Sequence, residues 1–155
     1  MELTIRTARP EDLDDLRAIY RRSSLLNEGD REALLARPEI LVWNGAGLEA
    51  GQTRVAVDEN GRLLGFATAV PDGAEVELDD LFVDPDRMRQ GVGRALVEDL
   101  LATARRAGAS SIRVIANEHA AAFYRAAGFV PAGTAATEFG PAPLLLRRVG
   151  RRGQL

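Results

Sequence analysis

The chain has no cysteine. That removes a disulfide framework, a thiolate nucleophile and any cysteine zinc site. Lysine is missing too, since all 20 basic residues are arginine. Without an ammonium side chain there is no Walker A phosphate loop, no Schiff-base lysine and no pyridoxal-phosphate chemistry. His119 is the single histidine, so paired-histidine metal sites are excluded and no metal is expected. No apolar run approaches the roughly 20 residues of a membrane span. Met1-Glu2-Leu3-Thr4-Ile5-Arg6 lacks the charged and apolar regions of a signal peptide. The expectation is a cytoplasmic chain without a membrane partner. A net charge of −3 and a pI near 5.3 do not mark a nucleic-acid binder, and no nucleic-acid partner is expected.

What is present suits one globular domain over 1–149, followed by an Arg-rich tail at 150–155 that is expected to be disordered. The 155 residues, 46% apolar and 28% charged, can bury a core without staples. Leu3-Thr4-Ile5-Arg6-Thr7 alternates like a strand. Pro10 opens a helix with Leu13, Leu16, Ile19 and Tyr20 as its stripe, and a second helix is expected over 30–36. Residues 38–52 carry little pattern and read as a loop with some extended structure. Asn60-Gly61 joins two apolar runs as a hairpin, Pro71-Asp72-Gly73 makes a second turn, and Glu75 to Val83 is the next strand. Val92, Ala95, Leu96, Leu100, Leu101 and Ala104 recur at helical spacing, with Gly108 as the stop. A strand over 111–116 follows, then a helix capped by Asn117 and ended by Gly128. Extended structure resumes at Phe129-Val130, and Leu144-Leu145-Leu146 is a last short strand. This order describes a mixed α/β sheet flanked by helices.

Gln90-Gly91-Val92-Gly93-Arg94-Ala95 is the sharpest local feature. Two glycines let backbone N–H groups turn toward one point at the positive end of a helix, which makes a cradle for a pyrophosphate. Arg87, Arg89 and Arg94 supply charge nearby. The plainer reading is a tight turn that needs small residues. A Rossmann site fits poorly, because it wants glycine where Leu96 stands and an opening βα unit. Upstream, Glu75, Glu77, Asp79 and Asp80 crowd one strand. Alternation sets the first three on one face and Asp80 on the other. This is either an exposed edge or a cleft lined by carboxylates, and the loop beside it favours the cleft. His119 reads as a surface or packing residue, and Phe123 and Phe129 as core.

Leu81-Phe82-Val83-Asp84-Pro85 followed by Gln90-Gly91-Val92-Gly93-Arg94-Ala95-Leu96 resembles the strand, phosphate loop and helix of the GNAT superfamily of N-acetyltransferases. Asn117, Ala120, Phe123-Tyr124 and Gly128-Phe129 resemble its second cofactor segment. Met88 stands where the family usually has Arg or Gln. The resemblance implies a mostly antiparallel sheet of about six or seven strands with about four helices. Two parallel strands, ending at Val83 and Ala116, would splay.

It also implies acetyl-CoA as co-substrate. Contacts would come from Leu81, Phe82, Val83, Met88, Arg89, Gln90, Gly91, Val92, Gly93, Arg94 and Asn117. The acetyl group would pass directly to a primary amine, so no protein nucleophile is needed. Glu77, or Asp79 as runner-up, would be the base, and Tyr124 would protonate the leaving thiolate. The acceptor pocket would fall in residues 20–52. The crowded carboxylates favour a small cationic amine. The alternatives are a protein acceptor, or a non-catalytic acyl-CoA sensor or partner subunit. A homodimer is a further expectation.

Overall fold

The computed structural model describes residues 2–26, 28–138 and 140–150. From residue 151 on, the Arg-rich tail lies outside them. The strands are β1 (Leu3–Thr7), β2 (Thr53–Asp58), β3 (Leu63–Asp72), β4 (Glu75–Val83), β5 (Ser111–Ile115), β6 (Val130–Thr137) and β7 (Gly140–Arg148). The helices are α1 (Leu13–Ser24), α2 (Glu28–Leu35), α3 (Val92–Arg106) and α4 (Glu118–Ala126). The hydrogen-bonded strand order is β1-β2-β3-β4-β5-β7-β6. The β1–β2, β2–β3, β5–β7 and β6–β7 pairs are antiparallel, and β4–β5 is parallel.

By contacts the chain forms two compact units. The first is Met1–Thr68 with Asp80–Leu96, and the second is Ala69–Asp79 with Val97–Leu155. β4 therefore changes unit midway. In the first unit, Leu16, Ile19, Trp43, Leu48, Val55, Val57, Leu63 and Phe66 form the core, with Leu13, Tyr20 and Phe82 packed against it. α1 enters through a 3₁₀ turn at Pro10–Asp12. Asp12 fixes that entry by accepting Arg9 N–H at 2.8 Å and two guanidinium bonds from Arg6 at 2.8 and 3.2 Å. The Arg6 bonds hold the Asp12 carboxyl below its ordinary pKa despite its burial.

In the second unit, Ile112 and Val114 of β5 are buried. So are Leu145 of β7, Ala121 and Tyr124 of α4, and Ala127 just past its end. β4 pairs with β5 from Glu75↔Ser111 to Leu78↔Val114. In α4 the Asn117 Oδ1 accepts Ala120 N–H at 2.7 Å, so the expected cap is present.

Four expectations about elements need correction. Residues 38–52 contain no strand. They form a 3₁₀ turn at Pro38–Leu41 and then turns that bury Trp43. The second hairpin turn falls at Gly73 and Ala74, because β3 continues through Pro71 and Asp72. β7 is nine residues long rather than the short run at 144–146, and it pairs along β6 from Val130↔Leu146 to Thr137↔Gly140. α2 begins at Glu28 rather than residue 30.

Candidate functional site

The step from β4 to α3 is built by its first residue. Asp84 is 1% exposed. Its carboxylate accepts Asp86 N–H at 3.0 Å and the Arg22 guanidinium at 2.7 Å. Its backbone N–H donates to Leu64 O at 2.8 Å, and its carbonyl accepts Arg87 N–H at 2.8 Å. The loop thus leaves from a fixed point on β3 and α1. A 3₁₀ turn at Pro85–Arg87 carries the chain onward.

Backbone conformation then departs from the expected pattern. Arg89 (φ 64°) and Gly91 (φ 84°) occupy the left-handed region, and Arg89 is the only non-glycine residue there among those described. Gly93 instead lies inside α3. The expected two-glycine turn is therefore an Arg89/Gly91 turn. A left-handed arginine costs of order 1–3 kcal/mol and persists only where its surroundings impose it.

The first hydrogen bond of α3 runs from Ala95 N–H to Gly91 O at 3.0 Å. The N–H groups of Val92, Gly93 and Arg94 precede it at the positive end of the helix. Gly91 has no side chain to cap them, the first turn has no acidic residue, and an added Cβ at Gly91 would meet nothing within 4 Å. Met88, Arg89, Gln90 and Arg94 are exposed. These features suit an approaching anion such as a pyrophosphate.

β4 holds this segment close to β3. A Cβ at Gly65 would meet Phe82 O at 2.8 Å, Val92 Cγ1 at 3.1 Å and Val83 Cα at 3.3 Å. Only glycine permits that approach, and it brings Phe82, Val83 and Val92 together. Leu81, Phe82 and Val83 are half-buried.

The carboxylates of β4 do not share one environment. Glu75 accepts the Ser111 hydroxyl at 2.9 Å. Arg113 donates to Asp72 at 2.7 Å and to Glu77 at 3.2 Å. Asp72 first, then Glu77, raises the Arg113 pKa. Asp79 is exposed. Asp80 instead accepts the Trp43 indole N–H at 3.0 Å and a Thr68 hydroxyl bond. Burial raises the Asp80 carboxyl above its ordinary range, against the lowering by those two bonds.

On α4, Tyr124 is 5% exposed, with Phe123 and Phe129 edge-on at 5.3 and 5.4 Å. Asn117 is exposed and His119 is on the surface, as expected. The sequence reading missed the Asp80–Trp43 bond and the Arg22 anchor of Asp84. A buried lone tryptophan was the available signal for the first; nothing local pointed to the second, 62 residues away.

Comparison with known proteins agrees with this architecture. A histone acetyltransferase of Glycine max is 37% identical over 73 residues, 46% of this chain and 32% of the relative. The chain thus spans about a third of that relative's length. The ribosomal-protein-S18-alanine N-acetyltransferase of Escherichia coli superposes with a TM-score of 0.73 at 23% identity, covering 99% of this chain and 97% of that one. The PaiA N-acetyltransferase of Thermoplasma acidophilum, solved with coenzyme A, gives 0.73 at 17% identity, covering 96% and 99%. These two likenesses are of fold. The family model for acetyltransferases of the GNAT family matches residues 13–129, a span that runs from α1 through the Asp84 loop to the end of α4. The chain belongs to the GNAT family of acetyltransferases.

Proposed function

We propose that the chain is an acetyl-CoA-dependent N-acetyltransferase acting on a primary amine of a small cationic molecule. The observation that carries this is the strained entry to α3. Left-handed Arg89 and Gly91 lead straight into its first turn, which holds no carboxylate. That arrangement favours a phosphate-bearing ligand over water. In this reading residues 88–94 hold the pyrophosphate, and Leu81, Phe82 and Val83 flank the pantetheine. Asn117 contacts the pantetheine as well.

The amine nitrogen attacks the thioester carbonyl carbon, a C–N bond forms and the C–S bond breaks. The ammonium first gives its proton to a carboxylate, Glu77 or secondarily Asp79, directly or through water. Arg113 fixes the Glu77 carboxylate at 3.2 Å. The departing CoA thiolate takes a proton from the Tyr124 hydroxyl, and the second proton that the nitrogen loses as the amide forms restores the hydroxyl. Each role uses a residue type suited to it, and none requires a protein nucleophile. The same Arg113 contact also favours a second reading, in which the acids are structural and the chain holds acyl-CoA without turning it over.

A thiol-release assay of acetyl-CoA against a panel of amines separates the two readings. Amine-dependent release with matching amide formation is expected. Binding of acetyl-CoA without release from any amine would leave the binding module.

A further inference from the structure

Asp80 sits in a setting different from those of Asp12, Asp84 and Glu77. Its hydrogen-bond partners are neutral: the Trp43 indole and the Thr68 hydroxyl. Among the described residues it forms no ion pair, whereas Asp12, Asp84 and Glu77 each face an arginine. Thr68 is held in turn, its hydroxyl 2.8 Å from that of Thr53. Both threonines are buried, and they are register partners on β2 and β3. Such a chain of donors fixes the carboxylate while using only part of its capacity, about four lone-pair sites in all.

The surroundings are aromatic. Trp43 and Phe66 lie 5.0 Å apart, Phe66 and Phe82 5.6 Å, and Tyr20 meets Phe82 edge-on at 4.9 Å. Trp43 and Phe66 are buried, while Tyr20, Phe82 and Asp80 stay half-accessible. The Tyr20 hydroxyl is anchored on Ile40 O at 2.9 Å. Burial first, and then the charge of Asp80, raise its pKa. A partly desolvated carboxylate without a counter-ion, bonded to a member of an aromatic cluster, is a poor structural element. It is a good receptor for a cation, because the carboxylate favours one. All of these residues belong to the first unit.

We propose that Asp80, with Tyr20 and Phe82 nearby, is the seat of an ammonium group of the acceptor other than the one that gives its proton to Glu77. This assigns the substrate class as alkylammonium compounds without a negative charge at the recognised end. It rests on the acetyltransferase reading above for the word acceptor, but not for the binding itself. The competing role for Asp80 is that of a neutral acid whose proton completes a purely structural network. An amide of the same shape would replace such an acid with little loss, but it would not hold an ammonium.

Trp43 is the only tryptophan in the chain, so its indole N–H, bonded to Asp80, gives a single nuclear magnetic resonance signal. The test titrates ¹⁵N-labelled protein with n-butylammonium chloride, and with n-butanol at matched chloride. A saturable shift of the indole signal by butylammonium and none by butanol is expected. In Asp80→Asn the apparent affinity should fall about tenfold or more. An indole signal that butylammonium leaves unmoved in the wild type overturns the proposal. So does one that moves equally with butanol, or equally in folded Asp80→Asn. Should the variant fail to fold, the comparison of the two wild-type probes still decides. The readout needs no turnover. Titration without thiol release from any amine removes the enzyme reading and keeps the cation seat. Thiol release with a static indole signal does the reverse.

Discussion

β4 leads into α3 and β5 leads into α4, yet the chain makes the same strand-to-helix step in two different ways. Between β5 and α4 it uses residues 116–117, and the Asn117 side chain closes the helix end at 2.7 Å. Between β4 and α3 it spends residues 84–91, buries Asp84 against Arg22, forces Arg89 to a φ of 64° and arrives at α3 through Gly91. If geometry were the sole demand, the short capped solution would serve both places. The longer path accepts backbone strain and brings a glycine, which has no side chain, to the start of α3. On the proposed reading the α3 end is left for a ligand anion, whereas the α4 end is closed by its own Asn117.

The largest expected effect breaks or confirms that contrast directly. Gly93→Asp puts a carboxylate beside the open end of α3. Acid in a first turn favours the helix dipole, so the variant should fold. Acetyl-CoA binding should vanish in calorimetry, while Gly93→Ala keeps most of it. Unchanged affinity in folded Gly93→Asp would mean that the strain at Arg89 serves another purpose. On the other side of the comparison, Tyr124→Phe keeps the ring between Phe123 and Phe129. It should lower turnover roughly 10²–10⁴-fold, with acetyl-CoA affinity little changed. A wild-type rate where chemistry limits turnover would remove Tyr124 from the reaction.

The same contrast explains which parts of the structure were legible in the sequence. The ends of β4, the Asn117 cap and the stripes of α1 and α3 follow from local signals and emerge as expected. The conformation of Arg89 does not, because arginine has no preference for positive φ and its neighbours impose it. Residues 38–52 gave no period because one long-range contact, Trp43 to Asp80 across 37 positions, organises part of them. β7 was shortened in the reading because Pro141 and Pro143 break strand patterning. Its partner β6 is mostly exposed and so lacks apolar alternation. Of the acids on β4, alternation correctly separated Asp80 from the other three. The Glu77–Arg113 pair needed the parallel β4–β5 register, which no local signal encodes.

A smaller effect is expected at Glu77, where the contrast can be sharpened within the second unit. If Glu77 takes the amine's proton, Glu77→Gln should slow the reaction most near neutral pH. The loss should shrink as pH rises toward the acceptor's own pKa, about 10 for an alkylamine, since free amine then needs no base. The pH–rate profile of the variant against the wild type is the measurement. An unaltered profile leaves Glu77 as a partner of Arg113 and nothing more, and Asp79→Asn becomes the next variant to measure.

The smallest effect concerns the capped helix itself. Asn117 is credited with two tasks, closing α4 through Oδ1 and meeting pantetheine through its amide. Two substitutions separate them. Asn117→Ala removes both, and loss of the cap should lower stability by about 1 kcal/mol in denaturant unfolding. Asn117→Asp caps as well as asparagine but has no N–H to donate. It should therefore keep stability and weaken acetyl-CoA binding a few-fold. Equal affinity in Asn117→Asp and the wild type would confine the residue to its cap, leaving α4 as the fully self-satisfied member of the pair. A stable Asn117→Ala would undo the contrast from the opposite side. The Ala120 N–H would then be content without its side-chain partner, and a glycine at the start of α3 would no longer point to a ligand.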